Sequence, residues 1–77
     1  MVEILEVVIK NLVDNKEEVS IDTKTNDNKS ICYEVTVAKN DMGKIIGKQG
    51  KMAKSIRTIM KAIAGKEHKR VTIEFID

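Results

Sequence analysis

The chain has 77 residues, with 14 Lys or Arg against 12 Asp or Glu and a net charge of +2. A chain of this length forms one domain with a thin core, since it buries only about 60% of the surface that its unfolded form exposes. A deep catalytic cavity is therefore disfavoured. The single cysteine, Cys32, excludes an internal disulfide, and the single histidine, His68, does not make a metal-ligand cluster.

Charge is distributed unevenly along the sequence. Residues 1–40 hold five Lys and eight acidic residues, a balance of −3, whereas residues 41–77 hold nine Lys or Arg and four acidic residues, a balance of +5. This asymmetry favours a polyanionic partner that meets one face of the protein. No apolar run approaches the ~18 residues of a membrane span and the N-terminus lacks a signal-peptide pattern, so we expect a cytoplasmic protein.

The first half of the chain predicts one helix and two strands. Residues 2–13 predict an amphipathic helix, since apolar residues recur at helical spacing at Val2, Leu5, Val8, Ile9 and Leu12. Residues 19–24 and 31–37 alternate apolar and polar side chains with the period of two that is typical of half-buried strands. The polar residues 26–29 predict a turn, so the two strands form a hairpin.

The second half begins with a short helix. It is predicted over residues 41–46, with Asn40 or Asp41 as its N-terminal cap. Two glycines, Gly47 and Gly50, then interrupt the helical pattern.

A longer helix and a strand complete the chain. The helix is predicted to end near Ala64, with Gly65 as its C-terminal cap. Its inward-facing stripe is predicted to be Met52, Ile56, Ile59 and Ile63. Alternating apolar and polar residues over 70–76 predict the third strand.

The order of the elements predicts the architecture. The second strand reaches the third through two helices, and such a crossover normally joins parallel strands with a right-handed connection. We therefore predict an α+β fold in the order α-β-β-α-α-β, with a three-stranded mixed sheet and helices packed on one face, as a single domain over residues 1–77.

The segment Gly43–Ile56 (GKIIGKQGKMAKSI) is the strongest candidate site. It does not fit a Walker A loop, because Lys48 stands where the second glycine is required, nor the dinucleotide fingerprint, because Ile45 stands where the first glycine is required. What remains is a Gly-x-x-Gly loop between two helices. Such a loop lets a ligand approach the backbone, and the N–H groups that begin the next helix favour phosphate. By its shape alone the loop is equally compatible with a tight turn between helices.

The run Ile45–Ile56 (IIGKQGKMAKSI) resembles the signature of K-homology (KH) domains, in which an apolar pair is followed by GxxG and a hydrophobic residue six positions after the second glycine. The α-β-β-α-α-β order is that of the prokaryotic, type II version. The whole chain is similar to the KhpA (YlqC) family of small single-domain bacterial KH proteins, notably in the runs DMGKIIGKQG, IRT and KEHKRVTIEFID.

This resemblance implies a single-stranded RNA-binding protein without a cofactor or an enzymatic activity, since the GxxG loop of KH domains clamps about four nucleotides by their backbone. The residues implied to hold the phosphates are Gly47, Lys48, Gln49 and Gly50, surrounded by Lys44, Lys51 and Lys54. The implied floor of the groove is Ile45, Ile46, Ala53 and Ile56, with Val35 and Val37 on the other side and Asn26–Ser30 as the variable loop. Plain core positions are an equally good interpretation of Ile56, Val35 and Val37. Because the only aromatic residues, Tyr33 and Phe75, occupy core-like strand positions, we expect phosphate-dominated, salt-sensitive binding with little sequence specificity.

The long helix carries a candidate partner surface. Ala53, Met60 and Ala64 lie off the predicted inward stripe, and we interpret them as a second apolar strip that a partner covers. The resemblance implies a homodimer, or a heterodimer with a larger KH protein, KhpB (Jag or EloR). It also implies a role as an RNA chaperone or post-transcriptional regulator in cell-wall (peptidoglycan) homeostasis, cell shape and cell-length control. The alternatives are a subunit whose main task is to dock a partner, with weak or lost RNA binding, and an enzyme whose catalytic groups the sequence does not reveal.

Overall fold

The computed structural model describes residues 1–25, 27 and 29–76, and its elements follow the order predicted from the sequence. The helices and strands are α1 Val2–Leu12, β1 Ser20–Thr25, β2 Ser30–Thr36, α2 Met42–Ile46, α3 Lys51–Lys66 and β3 Arg70–Ile76. Single 3₁₀ turns precede β1, α2 and α3, at Lys16–Glu18, Lys39–Asp41 and Lys48–Gly50. The predicted α-β-β-α-α-β order is confirmed.

The three strands form one mixed sheet in the order β1-β2-β3. β1 pairs antiparallel with β2, and β2 pairs parallel with β3, so Val35 lies between Ile21 on one side and Phe75 on the other. The parallel pairing requires a long connection, which α2 and α3 supply. The predicted mixed sheet is confirmed, and it leaves β3 as an edge strand beside α3.

Asp27 holds the turn between β1 and β2. Its Oδ1 atom accepts hydrogen bonds from the backbone N–H groups of Lys29 at 2.7 Å and Ser30 at 2.8 Å, which is a local Asx arrangement. The predicted variable loop also contains Asn26 and Asn28, which lie outside the described residues.

The helices cover one face of the sheet and form the core with it. The sheet contributes the buried side chains Tyr33, Val35, Val71 and Ile73. The helices contribute Leu5, Ile9, Ile45, Ile56, Met60 and Ala64. The other face is polar, since Asp22, Glu34 and Glu74 lie abreast across the three strands.

The inward face of α3 differs from the prediction. Ile56 is buried as expected, but Met52 and Ile59 are 37% and 48% exposed. The residues that α3 buries are Ala53, Ile56, Met60 and Ala64. Both stripes have helical spacing and share Ile56, and the alanines of the second stripe let the helix backbone approach the sheet closely. The interpretation of Ala53, Met60 and Ala64 as a partner surface is therefore wrong, because these side chains are in the core.

The end of α3 also differs from the prediction. The helix passes through Gly65 and ends at Lys66. The left-handed residue that closes it is His68, with φ +58°, and the backbone N–H of Lys69 donates to Ala64 at 2.9 Å. This six-to-one hydrogen bond is a Schellman closure, which places the left-handed position three residues beyond the predicted cap.

Candidate nucleic-acid interface

Three of the four residues of the GxxG loop have positive φ angles. Gly47 has φ +74° and ψ −178° and ends α2, where its N–H donates to Gly43 at 2.8 Å. Gln49 has φ +56°, and Gly50 has φ +74° and ψ +12° immediately before α3. The side chains of Lys48 and Gln49 at the tip are exposed. The loop therefore presents its backbone and these two side chains together at the N-terminal, positive end of α3.

The two loop glycines are required for different reasons. A Cβ atom on Gly47 would lie 2.6 Å from the Cβ of Met52 and 3.0 Å from its backbone nitrogen. A Cβ atom on Gly50 would meet nothing within 4 Å. Gly47 is therefore fixed by both space and conformation, whereas Gly50 is fixed by conformation alone.

Lys44 is paired with two acidic groups. Its Nζ atom forms an ion pair with the carboxylate of Asp14 and lies 3.7 Å from Oδ1 of Asp41. The hydrogen bond to Asp14, followed by the attraction of both carboxylates, raises the pKa of Lys44. These ion pairs compete with a phosphate for Lys44, so its expected role in the phosphate site stays a prediction. Lys48, Lys51 and Lys54 also have exposed side chains, as that role requires.

Asp41 fastens the start of α2 to the end of α1. Its side chain is 1% exposed and accepts hydrogen bonds from the backbone N–H of Asp14 at 3.2 Å, from the backbone N–H of Asn15 at 3.0 Å and from Nδ2 of Asn15 at 3.1 Å. These donors, first the backbone N–H of Asn15, lower the pKa of Asp41. Its predicted capping of α2 is wrong, because the carboxylate satisfies the N–H groups that follow α1. Since α2 has five residues, this contact to α1 is what positions the approach to the loop.

Most of the expected groove floor is core. The buried members are Ile45, Ala53, Ile56, Val35 and Val37. Their side chains are buried and cannot touch a base, so the floor assignment of Ile45 and Ala53 is wrong and the core interpretation of the other three is confirmed. Ile46 is half-buried and is the one apolar residue of the expected floor that keeps exposed surface.

A groove that was not predicted from the sequence lies between α3 and the edge strand β3. Its narrow part has a volume of about 100 Å³ and is lined by Arg57, Lys61, Val71, Thr72 and Ile73. A wider depression of about 370 Å³ shares Lys61, Val71 and Thr72 and adds Lys69 and Arg70. The signal in the sequence was the spacing of Lys54, Arg57 and Lys61, which places three cations on one flank of α3.

Arg57 is held at two points in this groove. Its Nε atom donates to the backbone carbonyl of Ile73 at 3.2 Å. Its guanidinium carbon lies 5.2 Å from the ring centroid of Phe75, within the range of a cation–π contact. This contact covers one face of the Phe75 ring and agrees with the expectation that aromatic stacking on bases is weak.

Two other kinds of site are absent from residues 1–25, 27 and 29–76. In that part of the chain, no group of three or more His, Cys, Asp and Glu is arranged to hold a metal ion. None of its helices is both long enough and apolar enough to cross a membrane.

Known proteins are similar to this chain over nearly its whole length. The family model described as KhpA/KhpB, KH domain, matches residues 2–75. Three relatives are each named RNA-binding protein KhpA. The relative from Clostridium acetobutylicum is 51% identical over 76 residues, which cover 99% of this chain and 100% of the relative. The relative from Chlamydia trachomatis is 44% identical over 77 residues, 100% of this chain and 97% of the relative.

The third relative, from Listeria monocytogenes, is 42% identical over 77 residues, 100% of both chains. No solved structure matches the chain. The names of the relatives describe RNA binding and not a catalysed reaction. Since the family model and the relatives span nearly the whole sequence, the chain belongs to the KhpA/KhpB family of KH domains, which is not an enzymatic family.

Proposed function

We propose that this protein binds single-stranded RNA, with the GxxG loop on the phosphates and the strand continuing along the groove between α3 and β3. The observation that carries the proposal is the exposed tip of the loop, Lys48 and Gln49, on a backbone held open by Gly47 and Gly50. The names of the relatives support the same ligand.

The cations around the loop have different roles in this proposal. Lys48 contacts phosphate at the tip, and Lys51 and Lys54 add positive charge along the first turns of α3. Lys44 is left out because Asp14 and Asp41 already neutralise it. With about three phosphate contacts on a single strand, log K should fall with log salt with a slope of about −2.

A charge-reversal experiment tests the loop assignment. The double substitution Lys48→Asp with Gln49→Asp should abolish RNA binding and leave the thermal unfolding midpoint unchanged, because both side chains are exposed. Lys16→Asp with Ser20→Asp, at exposed positions in the first 3₁₀ turn and in β1, is the matched control with two new carboxylates. RNA binding that survives the loop substitutions, or a loop variant that unfolds, would contradict the assignment.

A salt-titrated binding assay distinguishes an RNA-binding protein from a docking subunit. Single-stranded RNA, duplex RNA and single-stranded DNA of equal length are compared by fluorescence anisotropy, and we expect single-stranded RNA to bind most tightly. Equal weak binding to all three would instead favour a docking subunit whose main task is to bind another protein.

We further propose that the protein acts in the cytoplasm as an RNA chaperone or post-transcriptional regulator in cell-wall homeostasis and cell-length control, as a homodimer or with a KhpB-like partner. The partnership is what the resemblance to the KhpA family implies. One exposed apolar surface is the flank of α3 with Met52 and Ile59, whereas Ala53, Met60 and Ala64 are buried. Ile59→Asp should convert a dimer to a monomer in analytical ultracentrifugation, and an unchanged mass would exclude this surface.

A further inference from the structure

We propose that Asp14 lowers the affinity of the RNA site by holding Lys44 in an ion pair, which removes one phosphate contact beside the GxxG loop. The inference rests on the proposed binding of single-stranded RNA and names a residue that limits it. It is carried by the position of Lys44 one helical turn before Gly47 and by the two carboxylates beside its ammonium group.

Lys44 lies within reach of the loop. It is on α2, three residues before the first glycine, and side chains at this spacing on a helix have Cβ atoms about 5–6 Å apart. The N–H of Gly47 donates to the carbonyl of Gly43 at 2.8 Å, so the helical turn is complete at Gly47. The Lys44 side chain is 47% exposed and has a flexible four-carbon stem. Its ammonium group can therefore turn from Asp14 toward a phosphate on the loop.

Asp14 is held beside Lys44 through its backbone. Its N–H donates to Oδ1 of Asp41 at 3.2 Å, and the N–H of Asn15 donates to Oδ2 of Asp41 at 3.0 Å. Because Asp41 is only 1% exposed, these hydrogen bonds fix the turn after α1 relative to the start of α2. The ion pair of Asp14 with Lys44 therefore orders less of the chain than a pair between two mobile surface residues would.

The two carboxylates beside Lys44 differ in their other contacts. Asp41 accepts three hydrogen bonds, from the backbone N–H groups of Asp14 and Asn15 and from Nδ2 of Asn15, and it lies 3.7 Å from Nζ of Lys44. The carboxylate of Asp14 is 78% exposed and makes the closer contact with Lys44. Removing that carboxylate therefore releases Lys44 from its nearer partner and keeps the buried contacts of Asp41.

A phosphate has to compete with Asp14 for Lys44. Ion pairs between exposed side chains change an equilibrium by a factor of about 1.5 to 5, so the competition weakens RNA binding by a similar factor. A released Lys44 would add one phosphate contact on a single strand, which makes the slope of log K against log salt steeper by about 0.7.

The test measures the binding of Asp14→Asn to a single-stranded uridine octanucleotide by fluorescence anisotropy over a range of salt concentrations. We expect about threefold tighter binding than for the unsubstituted protein and a slope steeper by about 0.7. Asp22→Asn, which removes the same charge at an exposed position on β1, is the matched control and should show neither effect. Unchanged affinity and slope in Asp14→Asn would overturn the inference and leave RNA binding intact. No binding by the unsubstituted protein would overturn the proposed function, and the inference with it.

Further variants establish whether the gain in affinity depends on Lys44. Asp14→Asn with Lys44→Gln should bind no more tightly than Lys44→Gln alone, because the released lysine is then missing. A gain that persists in this double variant would overturn the inference, since Asp14 would then act without Lys44. Asp14→Glu keeps a carboxylate at the position and should keep the affinity of the unsubstituted protein. Thermal unfolding of each variant is measured alongside, and affinities are compared at temperatures where all of them are folded.

Discussion

Replacing each loop glycine with alanine should separate conformational strain from steric exclusion. Gly50 has φ +74° and ψ +12°, where an alanine costs about 1–2 kcal/mol, and its Cβ meets no atom within 4 Å. Gly47 has φ +74° and ψ −178°, a region essentially restricted to glycine, where strain costs about 1–3 kcal/mol. Its Cβ would in addition lie 2.6 Å from the Cβ of Met52, so we expect Gly47→Ala to be more destabilising by about 2 kcal/mol or more.

Urea unfolding at neutral pH measures this difference, with the slope of the transition checked for two-state behaviour. A second substitution provides the control. Met52→Gly removes the Cβ atom that an alanine at position 47 would strike, at a cost of about 1 kcal/mol in helix propensity. Gly47→Ala with Met52→Gly should therefore be less destabilised than the sum of the two single variants.

Two results would refute the reasoning on the loop glycines. One is an equal loss of stability for Gly47→Ala and Gly50→Ala. The other is strict additivity of Gly47→Ala with Met52→Gly, because the close approach to Met52 would then carry no cost. RNA affinity measured on the same proteins should fall for both alanine variants, since either change moves the backbone that we place on the phosphates.

Three further predictions concern the residues around the loop. Met60→Ala should lower the free energy of unfolding by about 2–5 kcal/mol and Met52→Ala by less than about 1 kcal/mol, and equal losses in urea unfolding would contradict the burial of Met60. The pKa of Asp41 is lower in the folded protein than its unfolded value of 3.8, so the ionised carboxylate stabilises the fold at pH values above 3.8. This stabilisation is lost as the pH falls through the folded pKa, so Asp41→Asn should flatten the acid side of a plot of unfolding free energy against pH. Lys48→Gln should make the slope of log K against log salt less steep by about 0.7, and Lys44→Gln should leave this slope unchanged. An equal reduction of the slope in both variants would place both lysines on phosphate.

Strand periodicity and element order predicted the fold because they depend on local pattern. The alternation in β2 and β3 specified which side chains are buried, and the two-helix connection specified a parallel pairing. The rotation of α3 was not predictable in the same way. Met52, Ile56, Ile59 and Ile63 match a helical stripe as well as the buried set does, and only the spacing between helix and sheet favours the smaller alanines.

The site was predictable where it depends on backbone conformation and not where it depends on tertiary contacts. Two glycines at fixed spacing indicated the loop, and both have positive φ. Lys44 forms an ion pair with Asp14, which lies 30 residues earlier in the chain, so its proximity to the loop in sequence did not reveal this partner. Predicting the groove would have required knowing that β3 is an edge strand beside α3. That position follows from the strand order and not from composition.

The rotation of α3 leaves room for two ligands on one helix. Its buried stripe is narrow, so both flanks are free, and Ile59 lies about 200° around the helix from Arg57. RNA in the groove would occupy the cationic flank, and a partner on Met52 and Ile59 would occupy the other. The two events should therefore be independent. Ile59→Asp should change the mass in ultracentrifugation but not the RNA affinity per chain, and Lys61→Gln should do the reverse, whereas a variant that changes both would show that RNA and partner share a surface.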